Sequence, residues 1–185
     1  MADLSAIGKR LKAKFPNAVT KIKTFRGELT ISIDKDYIGR VAKFLCDDKE
    51  SAFDYLSDLC GVDKSRLDSR QRTTLGHLTD PTQSGSDTFE VVYHLYSMKQ
   101  NHRVRLKVEI PASNPNIDTV TDVWKTADWH EREAYDMFGI IFDGHPNLQR
   151  ILTPDGFEGY PLRKDFPLKG RQPNSLREVY RKGEK

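Results

Sequence analysis

A chain of 185 residues, 37% hydrophobic and 31% charged, has material for one ordinary domain and a tail, and its 9 Phe, 7 Tyr and 2 Trp suffice for one core. The longest apolar run, Met137 to Phe142, is far shorter than the roughly 18 residues of a membrane span, and a net charge of +3 is too small to argue for nucleic acid. Two isolated cysteines, Cys46 and Cys60, fall short of the four ligands that an iron–sulfur cluster or structural zinc requires, so no such centre is expected in this chain.

The start, Met-Ala-Asp-Leu-Ser, lacks the basic-then-apolar order of a secretory signal, which predicts a soluble chain that stays where it is made. Leu4, Ile7, Leu11 and Phe15 recur at helical spacing until Pro16 and predict a first helix over about 3–14. Val19 to Thr24 and Glu28 to Ile33 predict two strands around Arg26-Gly27, with Leu29, Ile31 and Ile33 alternating against polar partners. Asp36 is placed to cap a second helix carrying Ile38, Val41, Ala42 and Leu45. Phe53, Leu56 and Leu59 predict a short helical turn leading into Cys60-Gly61-Val62-Asp63.

Residues 64–88 are polar and turn-rich and predict a surface insertion. Phe89 to Met98 and Arg103 to Ile110 give the best hairpin signal, turned at 99–102. Val104, Leu106, Val108 and Ile110 there alternate with charged residues. His94 and His102 read as structural. The fold class is therefore α+β: a mostly antiparallel sheet backed by helices over residues 1–128. A short docking helix over 129–142 and a long extended C-terminal tail over 143–185 follow it.

Five of the nine prolines (146, 154, 161, 167, 173) fall in the last forty residues, which forbids a helix or a central strand there. Yet Leu148, Ile151, Leu152, Phe157, Tyr160, Leu162, Phe166 and Leu168 set apolar groups along the same stretch. Extended at roughly 3.3 Å per residue, such a tail reaches up to about 100 Å, more than its own domain can cover. It is expected to be ordered only against a partner protein. From Tyr160 onward the chain is also basic, which suits an acidic groove, an anionic membrane or RNA.

The chemically densest stretch is Ala127 to Gly139. Asp128 and Glu131 fit an N-terminal capping box, and Gly139 fits a helix C-terminus. On a helical projection Ala134, Met137, Phe138 and Ile141 share one face. Glu131 and Glu133 flank it, while Arg132 and Asp136 sit opposite as an i, i+4 pair. An apolar centre edged by charge reads as a docking face. The zinc motif H-E-x-x-H fails because Ala134 stands where the second histidine belongs. The three carboxylates point different ways, which argues against a shared catalytic site. No G-x-S-x-G, G-x-G-x-x-G or P-loop motif occurs, and no catalytic, cofactor-binding or metal-binding residue is expected. His145-Pro146 opens the tail as a turn or partner contact.

Four blocks in order, Glu131 to Ile140, Gly144 to Leu148, Arg150 to Asp155 and Gly159 to Leu168, resemble the signature of the C subunit of NADH:quinone oxidoreductase. This is the thirty-kilodalton-type subunit of respiratory complex I. The resemblance extends more loosely upstream through Phe53 to Asp63 and the hairpin; Gln149 and Tyr160 depart from it, standing where a basic residue and a histidine are expected. It implies a non-catalytic subunit of the peripheral arm, in the quinone-reducing module, at the cytoplasmic face of the bacterial inner membrane. The protein would pack against the large D subunit, with the iron–sulfur B and I subunits nearby. FMN, Fe-S clusters and quinone would belong to partners, and the whole complex would couple NADH oxidation to proton translocation. The implied interface comprises Glu131, Arg132, Glu133, Asp136, Phe138, Gly139, His145, Arg150, Leu152, Tyr160, Pro161, Leu162, Arg163, Lys164, Asp165 and Phe166. Alternatives are the equivalent subunit of a membrane-bound hydrogenase-type or ferredoxin-linked complex and, more distantly, an RNA-binding accessory protein.

Overall fold

The computed structural model describes residues 4–65 and 87–167. The expected insertion lies almost wholly outside the described residues, as do Leu168 and the rest of the basic end. Helix α1 (Leu4–Lys14) precedes a hairpin of β1 (Val19–Phe25) and β2 (Glu28–Ile33). A 3₁₀ turn (Lys35–Tyr37) leads into α2 (Ile38–Asp47). Strands β3 (Tyr55–Asp63), β4 (Thr88–Ser97) and β5 (His102–Pro111) follow. Then come the short β6 (Asn116–Asp118), helix α3 (Ala127–Phe138) and β7 (Ile141–Asp143).

Five strands form one sheet in the order β1-β2-β5-β4-β3. Three of its four pairings are antiparallel, whereas β2 lies parallel to β5, Leu29 opposite Val104 through Ile33 opposite Val108. The α+β reading with a mostly antiparallel sheet therefore holds. Alternation decides the faces. Leu29, Ile31, Ile33, Val104, Leu106, Val108 and Ile110 are buried in one core with Ile38, Val41, Ala42 and Leu45 of α2. The other face carries charge pairs laid across the strands, such as Arg105 with Glu28 (2.9 Å) and Lys107 with Glu90 (2.6 Å).

Three local expectations are corrected. The stretch at 55–63 is strand, not a helical turn. Leu56 and Leu59 are three apart, which mimics a helix, but a register shift between Leu56 and Asp58 inserts one residue and returns both leucines to the core. Helix α2 has no side-chain cap: Asp34 caps the preceding 3₁₀ turn, accepting from the Asp36 N–H at 3.0 Å, and Asp36 itself lies within that turn. The capping box of α3 is also absent. Thr126 occupies the N-cap and its hydroxyl donates instead to the Leu56 carbonyl at 3.0 Å. Glu131 turns away to the 119–121 loop. The Trp124 indole N–H donates to the Phe53 carbonyl at 2.9 Å and fixes the same corner.

Helix α3 crosses β3 at Gly61. A Cβ there would stand 2.6 Å from Phe138 Cδ2 and 3.1 Å from Ile140 Cδ1, so the crossing distance needs glycine. Gly61→Ala is expected to push the helix outward and cost about 1–3 kcal/mol, the usual penalty of overpacking. A lower urea midpoint at unchanged slope would show it.

Candidate functional site

The C-terminal end of α3 and the segment after β7 form one hydrogen-bonded unit. Prolines at 154 and 161 exclude ladder pairing, so backbone groups of this segment need side-chain acceptors. Asp136 supplies the main one. Its Oδ2 accepts the backbone N–H groups of Ile151, Leu152 and Thr153 at 3.0, 2.7 and 2.9 Å. Its Oδ1 accepts from Arg150 Nη1 at 3.0 Å and from the Thr153 hydroxyl. The carboxylate is fully buried. Burial by itself raises the pKa, but the bonds from Thr153, Leu152 and Ile151 outweigh it and hold the group below its ordinary value.

Arg150 extends the unit by donating to the Gly159 carbonyl at 3.0 Å. The Tyr160 ring contacts two guanidiniums, its centre 5.0 Å from that of Arg150 and 4.4 Å from that of Arg163. Arg163 Nε donates to the Phe138 carbonyl, the Leu162 N–H donates to the Met137 carbonyl at 3.1 Å, and the helix end is thereby closed. Gly139, at φ +71°, leaves room for this crossing. A Cβ there would lie 2.5 Å from both Tyr160 and Arg163. Farther along, the Lys164 N–H donates to Asp63 Oδ2 at 2.8 Å, its ammonium reaches the Ser65 carbonyl at 3.0 Å, and Phe157 stacks on Phe166.

The residues singled out from sequence thus divide into two groups. Glu131, Asp136, Gly139, His145, Arg150, Tyr160 and Arg163 bind the chain to itself, through buried or part-buried contacts. Asp136 is not a solvated partner of Arg132; it lies beneath the segment, and Arg132 Nε donates to the Gln149 carbonyl at 3.1 Å. Glu131 is no flank of an exposed stripe but a fully buried side chain. Phe138, Pro161 and Phe166 are half-buried, whereas Glu133, Leu152, Leu162, Lys164 and Asp165 are exposed. Through residue 167 the tail makes these hydrogen bonds with its own domain. The missed members are Asp63, Thr119 and Thr153. Asp63 offered a signal, since a buried carboxylate closes the run Leu59-Cys60-Gly61-Val62, but the two threonines offered none.

Among the described residues no group of three or more His, Cys, Asp or Glu is placed to hold a metal ion, and no helix is long and apolar enough to cross a membrane. Cys46 and Cys60 are free thiols whose pKa burial raises.

Asp136→Ala would strand three N–H groups and a guanidinium, an expected loss of about 3–5 kcal/mol. Asp136→Asn should cost less. The folded carboxyl lies below its ordinary 3.8, so its stabilisation is complete above that pH and is lost as pH falls through the folded value. Melting curves collected down to about pH 2 should show a shallower acid limb for Asp136→Asn than for the parent.

Residues 31–172 match the family model described as respiratory-chain NADH dehydrogenase, 30 Kd subunit. The NADH-quinone oxidoreductase C subunit of a Roseiflexus species is 43% identical over 166 residues, covering 90% of this chain and 85% of that protein. The protein of the same name from Maricaulis maris is 45% identical over 167 residues, covering 90% and 74%. Among solved structures, a trypsin-resistant fragment of Nqo5 shares 28% identity at a TM-score of 0.57, covering 78% of this chain and 98% of that one. A chain of an archaeal membrane-bound sulfane sulfur reductase shares 26% identity at a TM-score of 0.65, covering 96% and 91%. Strands β3, β4 and β5, the crossing helix and the strapped segment lie within the matched span, and the chain belongs to the family of the 30-kilodalton subunit of respiratory-chain NADH dehydrogenase, the C subunit of NADH-quinone oxidoreductase.

Proposed function

We propose that this chain is a non-catalytic docking subunit of the peripheral arm of NADH-quinone oxidoreductase. In this reading it packs on the large D subunit of the quinone-reducing module, with the iron–sulfur B and I subunits nearby. It stabilises that module while electrons pass from NADH through FMN and Fe-S centres to quinone, coupled to proton translocation. FMN, clusters and quinone belong to the partners, and this chain holds none of them. It sits at the cytoplasmic face of the bacterial inner membrane and meets the membrane only through the complex.

The observation that carries the reading is a contradiction within the strapped segment. Its backbone is fixed by buried hydrogen bonds, yet Leu152 and Leu162 are 62% and 55% exposed. Trp129 on α3, 62% exposed, lies against the Arg132 guanidinium at 4.8 Å. Large apolar groups held outward on a backbone already fixed spare docking the cost of ordering that backbone, which leaves more of their burial as binding free energy. The exposed charges of Glu133, Lys164 and Asp165 suit the rim of such a patch.

The double variant Leu152→Glu/Leu162→Glu should melt as the parent does, since surface changes usually fall within about ±0.5 kcal/mol. Produced in cells lacking the native protein, it should fail to bring down cofactor-bearing partners from membranes, and NADH–quinone reductase activity should drop with it. Glu133→Lys should give the same failure in milder form. Assembly of the double variant at parental levels would overturn the docking face.

A further inference from the structure

The second buried carboxylate is not used by the docking reading. Glu131 and His145 are both 0% exposed at their side chains, and with Asp128 they form one cluster where α3, the loop after β6 and the turn after β7 meet. Glu131 Oε1 accepts the Val120 N–H at 2.8 Å. Its Oε2 lies 2.5 Å from the Thr119 hydroxyl, which lies 3.0 Å from that of Thr121. His145 Nδ1 accepts the Asn147 N–H at 3.0 Å, which leaves the ring proton on Nε2. That nitrogen is 3.2 Å from the Asp128 carbonyl, 3.3 Å from Asp128 Oδ1 and 4.0 Å from Glu131 Oε2. One N–H thus faces three acceptors. Tyr93 of β4, whose buried hydroxyl has no partner among the described residues, feels the charges of both Glu131 and Asp118 of β6.

The hydroxyl pair gives the Glu131 carboxyl two hydrogen-bonded arrangements. With Glu131 ionised, Thr119 donates to Oε2 and Thr121 donates to Thr119. With Glu131 protonated, Oε2–H donates to Thr119, which turns its own hydrogen toward Thr121. The Val120 bond survives in both. The Glu131 carboxyl and the Thr119 hydroxyl keep a partner in both states, so the charge can change without the loss of their bonds.

We propose that Glu131 binds and releases a proton reversibly inside the folded protein, and that this proton sets how firmly the 143–147 turn is held against α3. Burial pushes the Glu131 carboxyl from the ordinary 4.5 up to about 7; the bonds from Thr119 and Val120 pull it down and the Asp128 charge pushes it up further. A folded value above the open-state value means that closure is favoured by the proton. The effect is full below 4.5 and is lost as pH rises through about 7. Lifting the turn away gives Glu131 water, so the open fraction should grow with pH by up to roughly tenfold per unit across that window.

The full-length chain, carrying ¹³C at glutamate side chains, tests this without any partner, so the outcome is independent of the docking reading. The Glu131 signal, identified by its absence in Glu131→Gln, should titrate near 7. Protection of the Thr119 and Asn147 amides, corrected for intrinsic exchange, should decline with pH in the parent and stay level in Glu131→Gln. Thr119→Val, which removes the hydroxyl that favours the anion, should move the midpoint upward and serves if Glu131→Gln does not fold. A midpoint close to 4.5 would overturn the proposal, as would equal pH dependence of protection in parent and Glu131→Gln.

Discussion

Three successive peptide N–H groups, those of Ile151, Leu152 and Thr153, lie where no strand or helix can accept them, and a single buried carboxylate takes all three. Much of the C-terminal half hangs from that bond set. Asp136 is on α3, α3 rests on β3 through Gly61, and the Asp136 bonds draw residues 150–153 onto the helix. From there Arg150 and Arg163 clamp Tyr160, and Asp63 receives Lys164. A proline-interrupted segment cannot borrow cooperativity from a ladder, so its order depends on a few strong, charge-assisted bonds.

The two buried carboxylates of α3 show how donor number decides the state of an acid. Asp136 collects three N–H groups, a hydroxyl and a guanidinium, and is held ionised. Glu131, one and a half turns earlier, collects one N–H and one hydroxyl beside another carboxylate, and its charge is poorly repaid. Both would be ordinary surface residues on an isolated helix. Their different surroundings come from residues far along the chain.

That distance also explains what was legible in sequence. Alternation at 104–110 and the apolar set on α2 were local signals, and the structure keeps them. Leu56 and Leu59 misled because a bulge imitates helical spacing. Asp128 and Glu131 offered a capping box, but the carboxylate that would close it found better donors at Thr119 and Val120. The signature blocks after residue 131 pointed to the right family, while the work their charges do in fastening the chain to itself needed the fold. Helical projection alone cannot show that a later segment will cover the outward side of a helix.

The parallel pairing of β2 with β5 has a consequence for how the protein is made. Residues 29–33 find their sheet neighbours at 104–108, while β3 and β4 lie beyond β5 on the far side. On the ribosome the β2 edge of the N-terminal hairpin therefore stays unpaired until β5 has emerged. The hairpin β4–β5, by contrast, can zip locally as soon as both strands are out. Closure of the sheet is thus a late, non-local event in synthesis. A chain stalled or cut before residue 104 would leave the β2 edge, with Leu29, Ile31 and Ile33 along it, open to other chains, an aggregation hazard during folding.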